Sequence, residues 1–147
     1  MKLNITIQPY ELSGYKNISP LTGSNVLDLP VEQAECTEII AEDIIDYILY
    51  DKIQEVVSGY VSKLRHGGRI ILGGTDVFEV SKQCLTQATP VQKINTILYG
   101  DGNPSGWGFK RSCTTIIHIT SILSQLGLKI TKQRLEETKF IVEAYRA

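Results

Sequence analysis

Residues 37–74 read TEIIAEDIIDYILYDKIQEVVSGYVSKLRHGGRIILGG, and this stretch decides the fold. TEIIAE, at 37–42, is short and apolar enough to lie inside a sheet. Between Asp51 and Leu64 the apolar residues Ile53, Val56, Val57, Tyr60, Val61 and Leu64 recur at the spacing of one helix face. RHGG follows, where a cation in the last turn and a glycine beyond it are the usual helix stop. RIILGG, at 69–74, then reads as a second strand. Strand, helix, turn and strand at this spacing make a βαβ crossover, and a crossover of that kind requires a parallel sheet.

Upstream, LNITI at 3–7 alternates apolar and polar positions and meets a breaker at Pro9, which predicts a short strand. YKNI at 15–18 offers another, and NVLDL at 25–29 a third, stopped by Pro30. Downstream, residues 75–87 read as a helix with Thr75 or Asp76 as N-cap, and residues 89–98 as a helix with Pro90 in its first turn. Five glycines or prolines between Gly100 and Gly108 predict a surface loop over YGDGNPSGWGFKRS. In CTTIIHITSILSQLG, Ile116, Ile119, Ile122, Leu123 and Leu126 share one helix face, with Gly127 as the cap. The tail, residues 128–146, reads as two antiparallel strands joined by a charged turn. Without repeats or a linker, residues 1–147 are expected to form one α/β domain.

Composition narrows the function. Lys and Arg number 15 against 16 Asp and Glu, so the basic excess that drives binding to a phosphate backbone is absent and no nucleic-acid partner is expected. Cys36, Cys84 and Cys113 are odd in number and form no CxxC, which argues against a disulfide framework and a zinc knuckle. His66 and His118 lack partners at ligand spacing, so no metal is expected. Neither a signal-like start nor a run of about 20 apolar residues is present, and a cytoplasmic protein without membrane contact is the expectation. The three acids of EDIID could share a pocket or suit a helix start through the dipole alone, the second reading being favoured for Asp46 and both standing for Glu42 and Asp43. GGTD at 73–76 lacks the Lys and Ser/Thr of a P-loop.

In order along the chain, TEIIAEDIIDYI, YVSKLRHGGRIILGG and DVFEVSKQCL resemble the stretch of class I S-adenosylmethionine-dependent methyltransferases from the fourth strand to beyond the fifth. The glycine-rich loop, basic-Ser stretch and helix of YGDGNPSGWGFKRSCTTIIHITSILSQLGLKI are similar to that family's late segment, and KLNI, a loop and GYKNIS to its start. The resemblance implies a Rossmann-like methyltransferase fold, mostly parallel with an antiparallel C-terminal strand pair. It also implies S-adenosylmethionine at the carboxyl ends of the parallel strands, and a small molecule or glycan as substrate.

Carried over by position, the family's glycine turn falls on Thr6, Ile7, Gln8, Pro9 and Tyr10, none of them glycine. Pro9 removes a backbone donor and Tyr10 fills space that glycine would leave open. The ribose acid falls on Ser19, which offers no bidentate acceptor. Asp28 and Leu29 match the family's acid and its Leu-Pro pair, which implies an adenine contact, and Glu42 and Asp43 stand at the tip of the next strand. Asp46 matches the Glu of the family's L-E-H and Tyr47 replaces its His. In the glycine-rich loop, Trp107 and Lys110 could close over an anionic or sugar-like substrate, and Trp107 could equally fold back to anchor its own loop.

Two expectations follow. One is a methyltransferase with a reshaped cofactor pocket. The other is a catalytically inactive relative that serves as a binding or regulatory subunit, as a homodimer or beside an active methyltransferase.

Overall fold

A computed structural model describes residues 1–147. The strands are β1 (Lys2–Ile5), β2 (Lys16–Ile18), β3 (Cys36–Ala41), β4 (Leu64–Thr75), β5 (Leu128–Glu136) and β6 (Lys139–Arg146); the helices are α1 (Ile53–Lys63), α2 (Val77–Thr86), α3 (Val91–Tyr99) and α4 (Ile116–Gln125). All six strands join one sheet in the order β2-β1-β3-β4-β6-β5. β2, β1, β3 and β4 run parallel, whereas β6 pairs antiparallel with both β4 and β5. The crossover read from residues 37–74 is therefore present, and so is the antiparallel C-terminal pair.

Three local expectations fail. Residues 25–29 form no strand, because the Asn25 side chain accepts from the backbone N–H groups of Leu27 (3.0 Å) and Asp28 (3.2 Å) and curls the segment. Val26 and Leu29 still reach the core from that turn. The glycines of RHGG do not stop α1, which ends at Lys63 with Leu64 already extended. They instead shape a bulge, since the register of β3 against β4 slips between Cys36↔Leu64 and Glu38↔Arg69. Gly67 has φ 77° there, and a Cβ on Gly68 would meet the carbonyl oxygens of Arg65 at 2.9 Å and Cys36 at 3.0 Å. Asp76, not Thr75, caps α2, and Pro90 is the cap of α3 rather than part of its first turn.

The core lies on one face of the sheet. Leu3, Ile39, Ile70, Leu72 and Val142 pack under Val57 and Tyr60 of α1 and Ile119 and Leu123 of α4, all buried. The opposite face carries Lys2, Asn4, Glu38, Ile40, Arg69, Ile71, Ile141 and Glu143, since the alternation of a strand sends every second residue there. Half-buried Ile40, Ile71 and Ile141 stand outside the core cluster. No helix covers this face, since residues 6–15 hold none and residues 19–35 hold one 3-10 turn, Pro20–Thr22; the β1–β2 loop covers Asn4 and Glu38, which are buried. No helix of the chain is long and apolar enough to cross a membrane.

Candidate functional site

Parallel strands end together, and the groove they leave is the natural ligand position in an open α/β sheet. At the carboxyl ends of β1 and β3 lies a groove of about 430 Å³ whose lining includes Thr6, Tyr10, Ile40, Glu42, Asp43 and Lys139. Its outer wall is the β1–β2 loop, and four side chains hold that loop in place. Asn4 Nδ2 donates to Asn17 Oδ1 at 3.0 Å, and the same oxygen accepts from the N–H of Leu12 at 3.0 Å. Ser19 Oγ donates to the carbonyl of Ile7 at 2.6 Å, while the N–H of Ile7 reaches Asp43 Oδ2 at 3.3 Å. In this loop the amides of Thr6, Ile7, Leu12 and Tyr15 are already bonded within the protein.

Asp43 is the exception within the groove. Its Oδ1 is buried without a hydrogen-bond partner. Burial pushes its carboxyl pKa up, against the lowering pull of the Ile7 N–H. Such an oxygen can accept a donor from a bound molecule at little further desolvation cost. The same environment raises Tyr47 to about 12, through burial and then the nearby Asp43 and Asp46 carboxylates.

The structure divides the residues singled out from the sequence. Tyr10, Glu42 and Asp43 meet at the groove, and Gln8 is exposed on its loop. Ser19 is 2% exposed and its hydroxyl is used twice inside the protein, toward Ile7 and as acceptor from Leu21 N–H at 3.1 Å. Asp28 and Leu29 border a separate cleft with Met1, Glu35 and Lys63, at the amino ends of β1, β3 and β4 and so at the opposite end of the sheet. Leu29 itself is buried in the core.

Trp107 is half-buried against the core, with the Arg111 guanidinium 5.5 Å from its ring. It thus anchors its own loop. Lys110 turns inward: its Nζ lies 3.1 Å from Asp46 Oδ2, 3.3 Å from Thr75 Oγ1 and 2.7 Å from the carbonyl of Ile97. Asp46 in turn accepts from Thr75 N–H at 2.8 Å and Thr75 Oγ1 at 2.7 Å, and its carbonyl accepts from the N–H groups of Arg111 and Ser112. Burial pushes the Cys113 thiol up to about 11, with the Asp46 charge adding to it, so it is held as a thiol. No group of three or more His, Cys, Asp or Glu side chains is gathered to hold a metal.

Sequence reasoning missed a polar ladder across the open face. Tyr15 OH donates to Glu38 Oε1, Arg69 Nε reaches Glu38 Oε2 at 2.7 Å, and Arg69 Nη1 reaches Glu143 at 3.1 Å. Burial alone would raise the Glu38 carboxyl, yet the hydrogen bonds from Arg69 and Tyr15 bring it below its ordinary range. The available signal was phase, since Glu38, Arg69 and Glu143 occupy the non-core positions of three strands that become neighbours.

Overlay on solved structures decides the architecture. The chain matches a SAM-dependent methyltransferase of Methanosarcina mazei over 90% of its length at TM-score 0.61 and 10% identity. It matches an O-methyltransferase family protein of Burkholderia thailandensis over 90% at TM-score 0.59 and 12% identity. The fold is the Rossmann-like methyltransferase fold. A third methyltransferase-fold match is the magnesium protoporphyrin IX methyltransferase of Synechocystis with bound S-adenosylhomocysteine, at TM-score 0.57, 14% identity and 90% coverage. The chain spans 66%, 36% and 52% of those three proteins, so it is shorter than the structures it matches. No family model and no curated protein matches it.

Tested against S-adenosylmethionine, the groups present do not make one holder. The turn directly after β1, residues 6–10, has no glycine, the amides of Thr6 and Ile7 and the Ser19 hydroxyl are already bonded within the protein, and Asp28 stands at the far end of the sheet. Only Tyr10, Glu42 and Asp43 remain together at the groove.

Proposed function

We propose that this chain is a methyltransferase-like protein with a degenerate cofactor site, working as a binding or regulatory module that takes a small polar molecule in the groove between Tyr10, Glu42 and Asp43. The observation that carries this reading is the dispersal of the cofactor residues, with Asp28 and Ser19 removed from the groove in opposite ways. The buried, unpartnered Asp43 Oδ1 favours a ligand that brings an N–H or O–H donor. Calorimetric titration with S-adenosylmethionine and S-adenosylhomocysteine, together with thermal shift at millimolar ligand, tests it. Neither heat nor stabilisation is the expected result; micromolar binding to either compound would overturn it.

A second reading, a S-adenosylmethionine-dependent methyltransferase acting on a small molecule or glycan, has two supports. The groove stands where open α/β sheets hold their ligands, and the fold is shared with methyltransferases solved with S-adenosylhomocysteine. In that case catalysis would consist of positioning, because the cofactor supplies an activated methyl group when bound. Glu42→Ala would then weaken S-adenosylmethionine binding, whereas the first reading has no such binding to weaken.

A further inference from the structure

A parallel sheet is ordinarily covered on both faces, and here one face carries no helix: the β1–β2 loop covers Asn4 and Glu38, while Ile40, Ile71 and Ile141 are left half-buried and Arg69 exposed. β3 and β4 are the two central strands of the six. On the open face Ile40 of β3 lies beside its register partner Ile71 of β4, and one step toward their amino ends Glu38 lies beside Arg69. We infer that this face docks against a second copy of the same chain, about a two-fold axis that runs along the strand direction between β3 and β4.

That operation places β3 of one copy over β4 of the other. Ile40 then meets the partner's Ile71, a contact that occurs twice, as an isologous interface demands, while Glu38, with its side chain 6% exposed, stays paired with Tyr15 and Arg69 of its own chain. Arg69 holds Glu38 and Glu143 of its own chain and keeps its side chain 47% exposed on the face that meets the partner. The outer strands complement one another as well. β5, with Lys132 and Arg134, comes over β2 and the β1–β2 loop that carries Glu11. The alternative axis, across the strands, would lay the basic β5 on itself. Packing two such faces aligns the strands within about 30°, the twist of each sheet. Six strands at about 4.8 Å spacing and about 20 Å length give a flat footprint of roughly 600 Å² per copy before side-chain relief, close to the about 800 Å² of a standard interface. The groove opens on the same face, so the second copy would wall it.

Light scattering and sedimentation of the wild-type chain need no ligand and so test this separately from the proposed binding role. Twice the 16.4 kDa chain mass is expected at about 100 µM, with partial dissociation on dilution into the low micromolar range; a single-chain mass throughout overturns the inference. Ile40→Glu and Ile71→Lys should each give a monomer with unchanged circular dichroism, and an equimolar mixture should regain the dimer, because the new charges meet across the two-fold. A dimer that survives both substitutions, or variants whose mixture stays monomeric, contradicts the stated axis. Hydroxyl-radical labelling of the wild type provides a readout without substitutions: Ile40, Ile71 and Tyr145 should be protected at high concentration, and equal labelling at both concentrations would contradict the interface.

Discussion

Ser19 Oγ donates to the carbonyl of Ile7 at 2.6 Å, joining the end of β2 to the loop that leaves β1. The residue that by position would meet a ribose is instead a latch on the groove wall. Ser19→Ala would leave the Ile7 carbonyl without its side-chain donor and the Leu21 N–H without its cap, at a site 2% exposed. A loss of about 1–3 kcal/mol in urea unfolding is expected, with no change in ligand affinity beyond loosening of the loop. A stability unchanged within error would show that the latch is not made in solution.

Asp76 ties two helices with one carboxylate. Its Oδ1 accepts from the N–H groups of Phe78 and Glu79 at the start of α2, and its Oδ2 from the N–H of Ile116 at 2.9 Å, at the start of α4. Both helix dipoles favour the negative charge. Asp76→Ala should cost more than an ordinary cap, about 2–4 kcal/mol, and Asp76→Asn should recover part of it. Chemical denaturation of the two variants checks the order.

Lys110 and Asp46 form a pair that is almost withdrawn from water, with side-chain exposures of 14% and 6%. Removing one charge leaves the other unbalanced, so Lys110→Met alone is expected to destabilise by about 3 kcal/mol or more. The double substitution Lys110→Met with Asp46→Asn should cost less than the sum of the singles. Additive losses in that cycle would mean the pair is not coupled.

Asp43 sets a pH signature with a definite sign. Its folded-state pKa is raised, so the ionised carboxylate is the form that burial disfavours; the cost is present above the folded pKa and absent below the unfolded value of about 3.9. Asp43→Asn, which keeps an acceptor for the Ile7 N–H, should therefore melt at or above wild type at pH 8. Its advantage should shrink as the pH falls toward 4. Glu38 runs the other way, since its lowered pKa gives stability that is present above the ordinary carboxylate range and lost as pH falls through the folded value. A Tm difference for Asp43→Asn that is flat with pH would contradict the assignment.

How much of this was legible in the sequence depends on the range of the forces involved. The crossover from β3 through α1 to β4 is written in periodicity, because each buried position of α1 faces the same sheet. The curl at 25–29 was not, because its hydrophobic pattern suits a strand and a single Asn25 side chain overrides it. Tyr10, Glu42 and Asp43 could be placed together because they follow neighbouring parallel strands. Asp28 could not, since no strand fixes the direction of residues 19–35. The inward turn of Lys110 depended on Asp46, 64 positions earlier, finding no other cation in a buried corner, a fact of packing that spacing does not carry.

The central claim is that the methyltransferase fold is kept while its S-adenosylmethionine holder is not. An amide NMR titration of the labelled chain with S-adenosylhomocysteine tests it most directly, because it reads the loop and the strand tips residue by residue. The amides of Ile7, Gln8 and Tyr10, and those of Glu42 and Asp43, should stay in place up to millimolar ligand. Saturable shifts at those five positions would contradict it.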